Sequence, residues 1–416
     1  MAVSVPRSTG LDELVAAFRE RYWLRDPTPL LAVLGTVAAN RMSGEPLWLM
    51  LVGPPSGGKS ELLSLLSALP EYFGTSTLTE AGLFTHSGEH GSGGLLTEVV
   101  ARCAKPGGPA YGLVVVSDFG TLLSGHHDTR DRVFALLRVT HDGLLTRRLG
   151  TNHGMALDWS GKVGLIAGST EAVDLADFGV LGERFAYVRL TEQSSEDETM
   201  TLAFASKNVG TQSEHRERLA VLTAAFFASV DLPERPPAID ADHERVAGLA
   251  RLGSRCRSAV PRDGSGSRDI LALFQPERPA RLYQQLVQLL AGLRAIGADD
   301  EAAWRVVRAA ALNGMVAARR AVIDALVAAP WEDTTTWISD RIGLSRTATQ
   351  RCLEDLAALK VVIREDDPDD PRRAPHWCLS EEIGELWEVV ARNWRKEERV
   401  PLRLVDGAFP GAEEGL

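Results

Sequence analysis

The feature that most constrains this chain is the octet Gly53-Pro54-Pro55-Ser56-Gly57-Gly58-Lys59-Ser60, which stands between an apolar run and a leucine-rich helical pattern. Leu47-Trp48-Leu49-Met50-Leu51-Val52 reads as a buried strand, and Glu61 to Leu69 repeats leucine at helical intervals (Leu62, Leu65, Leu66, Leu69). Strand, glycine-rich loop and helix, in that order, spell the GxxxxGK[ST] phosphate-binding loop. In such a loop the glycines let backbone N–H groups surround phosphate oxygens, the lysine reaches the β- and γ-phosphates, and the final hydroxyl ligates magnesium. On this reading the eight residues Gly53 to Ser60 bind ATP, with Lys59 at the phosphates and Ser60 on Mg2+. The bland alternative is a glycine turn with an exposed lysine.

Hydrolysis also needs an acid at the end of a neighbouring strand. Val114-Val115-Val116-Ser117-Asp118 offers one, so Asp118 is expected to organise the metal, to act as the catalytic acid, or both. Ser117 stands where the first of the usual tandem acids would be, which brings fast turnover into question. A helix or turn cap is the other reading of Asp118. Ser169 and Thr170, at the tip of the strand through Leu165 and Gly168, either sense the γ-phosphate or cap the next turn. Arg184, in Gly182-Glu183-Arg184-Phe185, is a candidate for transition-state charge in a neighbouring subunit's site, or else pairs with Glu183 or Asp177. Arg278 or Arg281, opening a leucine-rich helix, either bends back onto the nucleotide or lies on a solvated surface.

Apolar runs at Gly112 to Val116, Lys162 to Gly168 and Phe185 to Leu190 alternate with helical patterns, which predicts a mainly parallel, three-layered α/β core. At 416 residues the chain exceeds one minimal core. We divide it into N-terminal helices (1–46), a P-loop ATPase core (47–192), a helical lid region (193–330), a winged helix-turn-helix (331–380) and a C-terminal helix and tail (381–416). No stretch approaches the roughly 18 apolar residues of a membrane span, and the first residues show no signal-peptide core, so a cytoplasmic protein without membrane contact is expected. Cys103, Cys256, Cys352 and Cys378 are scattered without metal or disulfide spacing. His126, His127 and His153 likewise lack metal-ligand spacing.

In the C-terminal unit Trp337 to Ile342, a turn at Gly343, a helix capped by Ser345, and the apolar pairs Val361 to Arg364 and His376 to Leu379 predict two helices and a two-stranded wing. Arg346, Thr349, Gln350 and Arg351 are expected to face outward, with Arg346 and Arg351 as DNA contacts. Charge opposes simple DNA reading. The whole chain carries 45 basic and 56 acidic residues, a net charge of −11, and the wing tip Glu365-Asp366-Asp367 with Asp369-Asp370 repels phosphate. Docking on a protein partner is therefore the other expectation for this unit.

Taken together, the phosphate loop, the glycine-rich stretch Thr85 to Thr97, the strand ending Ser117-Asp118-Phe119, and Gly182 to Phe185 resemble the AAA+ core of minichromosome-maintenance-type helicases over about Leu47 to Leu190. Asp118 to Ser124, Leu137 to Gly143 and Trp159 to Gly168 more closely resemble uncharacterised P-loop ATPases of bacterial and mobile-element genomes. The resemblance implies assembly into a homo-oligomer and a β-hairpin over Leu144 to Trp159 that offers Arg147 and Arg148 to DNA in a central pore. A plain surface hairpin is the alternative. The implied activity is ATP hydrolysis coupled to DNA remodelling or translocation. A nucleotide-dependent switch or transcription regulator, or a loader ATPase docking on a protein, are the alternatives.

Overall fold

The apolar run before the glycine-rich loop forms a strand one place in from the edge of a five-stranded sheet whose pairings are all parallel. The computed structural model describes residues 10–87, 91–148, 156–175, 183–190, 194–264, 268–273, 275–328, 334–366 and 374–391. In chain order, α1 (Leu11–Arg19) and α2 (Thr28–Arg41) lead into β1 (Trp48–Val52), the glycine-rich loop and α3 (Lys59–Ser64). Then come β2 (Tyr72–Thr75), α4 (Glu80–Leu83), β3 (Thr85–Ser87), β4 (Gly91–Gly93), α5 (Leu95–Cys103), β5 (Gly112–Val116), α6 (Gly120–Leu123) and α7 (His127–His141). After them β6 (Leu144–Arg148), β7 (Ala156–Ser160), β8 (Val163–Ser169) and β9 (Phe185–Arg189) complete the strand-rich part. The helices α8 (Ser195–Asn208), α9 (Gln212–Ser229), α10 (His243–Arg257), α11 (Ala280–Ala295), α12 (Asp300–Leu312) and α13 (Ala317–Ala328) follow. Last are α14 (Thr335–Ile342), α15 (Arg346–Ala358), β10 (Val362–Glu365), β11 (His376–Leu379) and α16 (Glu381–Ala391).

The sheet order is β2-β5-β8-β1-β9. Helices cover both faces, which is why its central strands are apolar throughout instead of alternating with polar residues. Side chains of successive residues leave on opposite faces. Leu49, Leu51, Leu113, Val115, Ile166 and Val188 join one core with α2, α3 and α9 to α13, and that core continues to Leu353, Trp377 and Trp387. Trp48, Met50, Val114, Val116, Leu165, Phe185 and Tyr187 form the other core with Leu96, Val133 and Phe134 of α5 and α7. The parallel α/β expectation thus holds.

Helix α2 is buried on every side from Thr28 to Asn40. It crosses α11 so closely that a Cβ on Gly292 would stand 2.3 Å from the Gly35 carbonyl oxygen. The helix read over Glu61 to Leu69 is shorter than expected. It ends at Ser64, and three-residue turns (Leu66 N–H to Leu63 O, 3.2 Å; Leu69 N–H to Leu66 O, 3.0 Å) carry the chain to Pro70. Proline disfavours helical backbone in the residue before it, and the tighter turns still bury Leu65, Leu66 and Leu69.

Strands β6 and β7 pair antiparallel with Leu144 opposite Ser160 and Arg148 opposite Ala156. The turn of that pair, and the side chains of Arg147 and Arg148, lie outside the described residues. At the C-terminal end, Gly343 adopts the left-handed backbone (φ +69°) that closes α14, Ser345 accepts the Ala348 N–H, and β10 pairs antiparallel with β11. The outward reading of Thr349 fails. It is fully buried, with its hydroxyl on the Ser345 carbonyl, because a residue four positions after the cap turns toward α14 and the core. No helix among the described residues is long and apolar enough to cross a membrane.

Candidate functional site

Because the sheet is parallel, the ends of its strands meet along one edge, and the backbone stitches them together. The Leu190 N–H donates to Val52 O (2.8 Å), Gly53 N–H to Ser169 O (3.2 Å), and Phe119 N–H to Gly168 O (2.8 Å). The glycine-rich loop leaves this edge at Gly53. Ser56 (φ +61°) and Gly58 (φ +87°) both take left-handed backbone, which for a serine is sterically costly. Gly57 N–H closes a turn onto Pro54 O at 3.1 Å, and α3 begins at Lys59. Among the described residues, the N–H groups of Gly58, Lys59 and Ser60 donate to no backbone carbonyl outside the helix, and at a helix start they have none within it. They form a short row of donors at the head of α3.

Lys59 folds back over this loop, with Nζ on Gly53 O (2.7 Å) and Pro54 O (2.6 Å). Burial pushes its pKa down, while the charges of Glu171 and then Asp118 act to restore it. Ser60 is exposed one residue on. Gly168 explains why β8 can pass beneath the lysine. A Cβ there would lie 3.0 Å from Ser117 O and 3.9 Å from Lys59 Cβ.

Asp118 is exposed at the end of β5, where Oδ1 accepts the Gly120 N–H (2.9 Å) and Oδ2 the Thr121 hydroxyl (2.7 Å). It therefore ties down the first turn of α6 from the residue before its N-cap, Phe119. Ser117, exposed and uncharged, stands where the first of a tandem pair of acids would be, and the next residue, Phe119, is wholly buried against Phe134 and Phe185. Ser169 is 2% exposed, and its hydroxyl has no hydrogen-bond partner among the described residues. The half-buried Thr170 accepts the Val173 N–H with its carbonyl, opening a turn over Glu171–Leu175. Sequence reasoning passed over Glu171.

The two candidate arginines lie elsewhere. Arg184 immediately precedes β9, whose first residue pairs with Trp48, so it sits at the sheet edge opposite the loop, about 16 Å away along a five-residue strand. Its side chain is 7% exposed and meets Asp142 at 3.3 Å, not the Glu183 considered from sequence; Asp177 lies outside the described residues. Burial lowers its pKa, and the charge of Arg281 acts on Arg184, His141 and Glu183. Arg281 therefore belongs with Arg184, and neither meets Lys59 of its own chain. The arginine at the loop's edge is Arg189, held by Asp174 (2.5 Å) and by the Asn313 and Met315 carbonyls (3.1 Å each).

Beside the loop opens a cavity of about 250 Å³, walled by Phe18, Tyr22 and Trp23, by Gly57 and Gly58, and by Phe204 of α8. The Trp23 and Phe204 rings are 6.5 Å apart and inclined by 35°. Asp197 fixes the first ring. It accepts Trp23 Nε1 (2.9 Å), Arg25 Nη1 (3.0 Å) and the Ser194 N–H and hydroxyl, bonds that hold its pKa well below the usual carboxylate range. Arg216 of α9 pairs with Glu61 on the same side. Of this pocket only the Ser56–Gly58 floor was read from sequence; the aromatic walls were not, and the pair Tyr22-Trp23 just before Pro27 was their one local signal.

In the C-terminal unit, exposed Arg346 and half-buried Arg351 line a groove with Arg262 and Arg268. The flank of α15 is already engaged, since Arg262 binds Asp355 (2.8 Å), Glu354 (3.1 Å) and the Arg351 carbonyl (2.9 Å). The strand edge as a whole offers a cation, free N–H donors, two hydroxyls and two carboxylates beside an aromatic slot. Such a set suits a polyanion that carries a flat ring. No protein-family model matches the chain, and no curated protein matches its sequence.

Proposed function

We propose that this chain binds and hydrolyses ATP as an AAA+-type P-loop ATPase and couples turnover to remodelling or translocating DNA. One observation carries the ATP reading: the Gly53–Ser60 loop, with Lys59 and its row of free N–H groups, opens directly into the Trp23–Phe204 slot. Phosphates would lie on the loop, and Lys59 would exchange the Gly53 and Pro54 carbonyls for β- and γ-phosphate oxygens. The base would enter the slot. Its 6.5 Å ring separation is close to twice the roughly 3.4 Å spacing of stacked bases, so a small rotation would let one base stack on both rings.

The residues present fit magnesium. In phosphate sites that ion keeps several waters and takes one or two protein oxygens, and the exposed Ser60 hydroxyl and Asp118 carboxylate provide them. Bound there, it would neutralise charge on the phosphates. Ser169, whose hydroxyl at the strand tip has no partner among the described residues, would read the γ-phosphate, and Thr170 lies next to it. The coupling to DNA rests on the candidate winged helix with Arg346 and Arg351, and on the β6–β7 pair carrying Arg147 and Arg148. Self-assembly would bring the edge with Arg184 and Arg281 to a second copy.

The test is steady-state ATP hydrolysis by the wild type and Lys59→Ala, with and without single- and double-stranded DNA. DNA-stimulated turnover that disappears in the variant supports the motor; turnover indifferent to DNA removes the coupling. A second reading, a nucleotide-dependent switch, is favoured by Ser117 in place of the first tandem acid. It predicts Lys59-dependent binding with negligible hydrolysis under every condition.

A further inference from the structure

Hydrolysis of a phosphoanhydride needs a carboxylate free to take the proton of the attacking water. Asp118 is tethered at the start of α6 by one bond to each oxygen, and its remaining acceptor capacity is the part assigned above to the metal and its waters. Ser117, in the place of the first tandem acid, carries no charge. Among the described residues, the acid at the strand tips that makes no hydrogen bond and no ion pair is Glu171, exposed at the first position of the turn after β8.

Its place is set by the strand order. Because β8 lies between β1 and β5, Ser169 stands opposite Val52, and the Gly168 backbone passes between Ser117 O and Lys59 Cβ. Glu171 follows two residues later. The turn is then anchored beyond it, by Val173 at 4% exposure and by Asp174, which holds Arg189 and accepts the Ala317 N–H (3.2 Å). Anchored below and exposed above, the turn sets Glu171 just past the strand tip that passes beneath the lysine. The greater influence of Glu171 than of Asp118 on the Lys59 ammonium agrees with this placement.

We propose that Glu171 is the catalytic base of the ATPase, in place of the missing tandem acid. The assignment rests on the ATP reading above. In the step, a water oxygen bonds to the γ-phosphorus, the bond from that phosphorus to the β–γ bridging oxygen breaks, and ADP leaves with that electron pair. The water's proton passes to the Glu171 carboxylate, which later returns it to solvent. Asp118 is left to tie down the first turn of α6 and to hold the metal's water shell.

The experiment compares wild type, Glu171→Gln, Glu171→Asp and Lys59→Ala. Binding is read with a fluorescent ATP analogue, hydrolysis under single-turnover conditions, and folding by thermal melting. The expected result is that Glu171→Gln melts like the wild type, binds within about 3-fold of it, and hydrolyses at least about 100-fold more slowly, with partial recovery in Glu171→Asp. Lys59→Ala should lose binding itself. Glu171→Gln that hydrolyses at the wild-type rate overturns the assignment while leaving the ATPase intact. A loss of binding that accounts for all of the lost turnover also overturns it, since the acid would then act only through Lys59. A wild type that neither binds nor hydrolyses ATP overturns the assignment and the ATP reading together.

Discussion

Phe204→Ala separates the two halves of the proposed nucleotide site. The ring is one wall of the slot, 6.5 Å from Trp23, and lies some distance from the phosphate loop in sequence and in role. Stacking a base on an aromatic side chain contributes about 1–3 kcal/mol, so removing one of two rings should weaken ATP binding by about 5- to 150-fold. Tripolyphosphate has no base and should bind the variant as it binds the wild type. Folding should change little, because Phe204 is half-buried and its other described contact is the Lys207 ammonium at 5.2 Å, an exposed cation–π pair of about 0.5–1 kcal/mol. For a chain of this length 1 kcal/mol corresponds to about 1 °C of melting temperature. Isothermal titration with both ligands decides the matter. Unchanged ATP affinity, or equal weakening toward ATP and tripolyphosphate, refutes a base slot between these rings.

Gly292→Ala should cost about 1–3 kcal/mol or more, because its Cβ would stand 2.3 Å from Gly35 O; an unchanged urea midpoint would show that α2 and α11 can part freely. Burial raises the Glu183 pKa to about 7, above its unfolded value near 4.5, so the proton it holds stabilises the fold at low pH. That contribution falls as pH rises from 4.5 through 7. Glu183→Gln should therefore gain melting temperature relative to wild type between pH 5 and pH 8, and a difference independent of pH argues against the shift. Asp355→Ala leaves Arg319 and Arg262 without their shared carboxylate, and about 2–3 kcal/mol should be lost in urea unfolding; a loss under about 0.5 kcal/mol contradicts a structural role for the pair.

What was legible in the sequence was local. The strands β1, β5, β8 and β9 declare themselves because a strand covered on both faces must be apolar throughout, and the glycine-rich loop follows one of them directly. The two helices and the strand pair near the C-terminus carry their own caps and turn, Ser345 and Gly343. The aromatic slot was illegible because it draws Trp23, Gly58 and Phe204 from three separate stretches. Glu171 was missed for a related reason: its nearness to Lys59 depends on β8 being inserted beside β1, which no local pattern states. Arg184 and Arg281 show the reverse. Their distance from the loop of their own chain follows once the strands are known to run parallel. Thr349 failed on helix phase, where one residue of rotation separates an outward face from the core.

Helix α2 has a consequence for biosynthesis. Buried on all sides and mostly apolar, it is made about 250 residues before α11, the helix that covers it. At roughly 5–20 residues per second, the nascent chain carries this uncovered segment for about 13–50 s. During that interval α2 is a natural ligand for holdase chaperones and a natural seed for aggregation, so production of the protein should depend on translation speed and chaperone supply more than the stability of the finished fold would suggest.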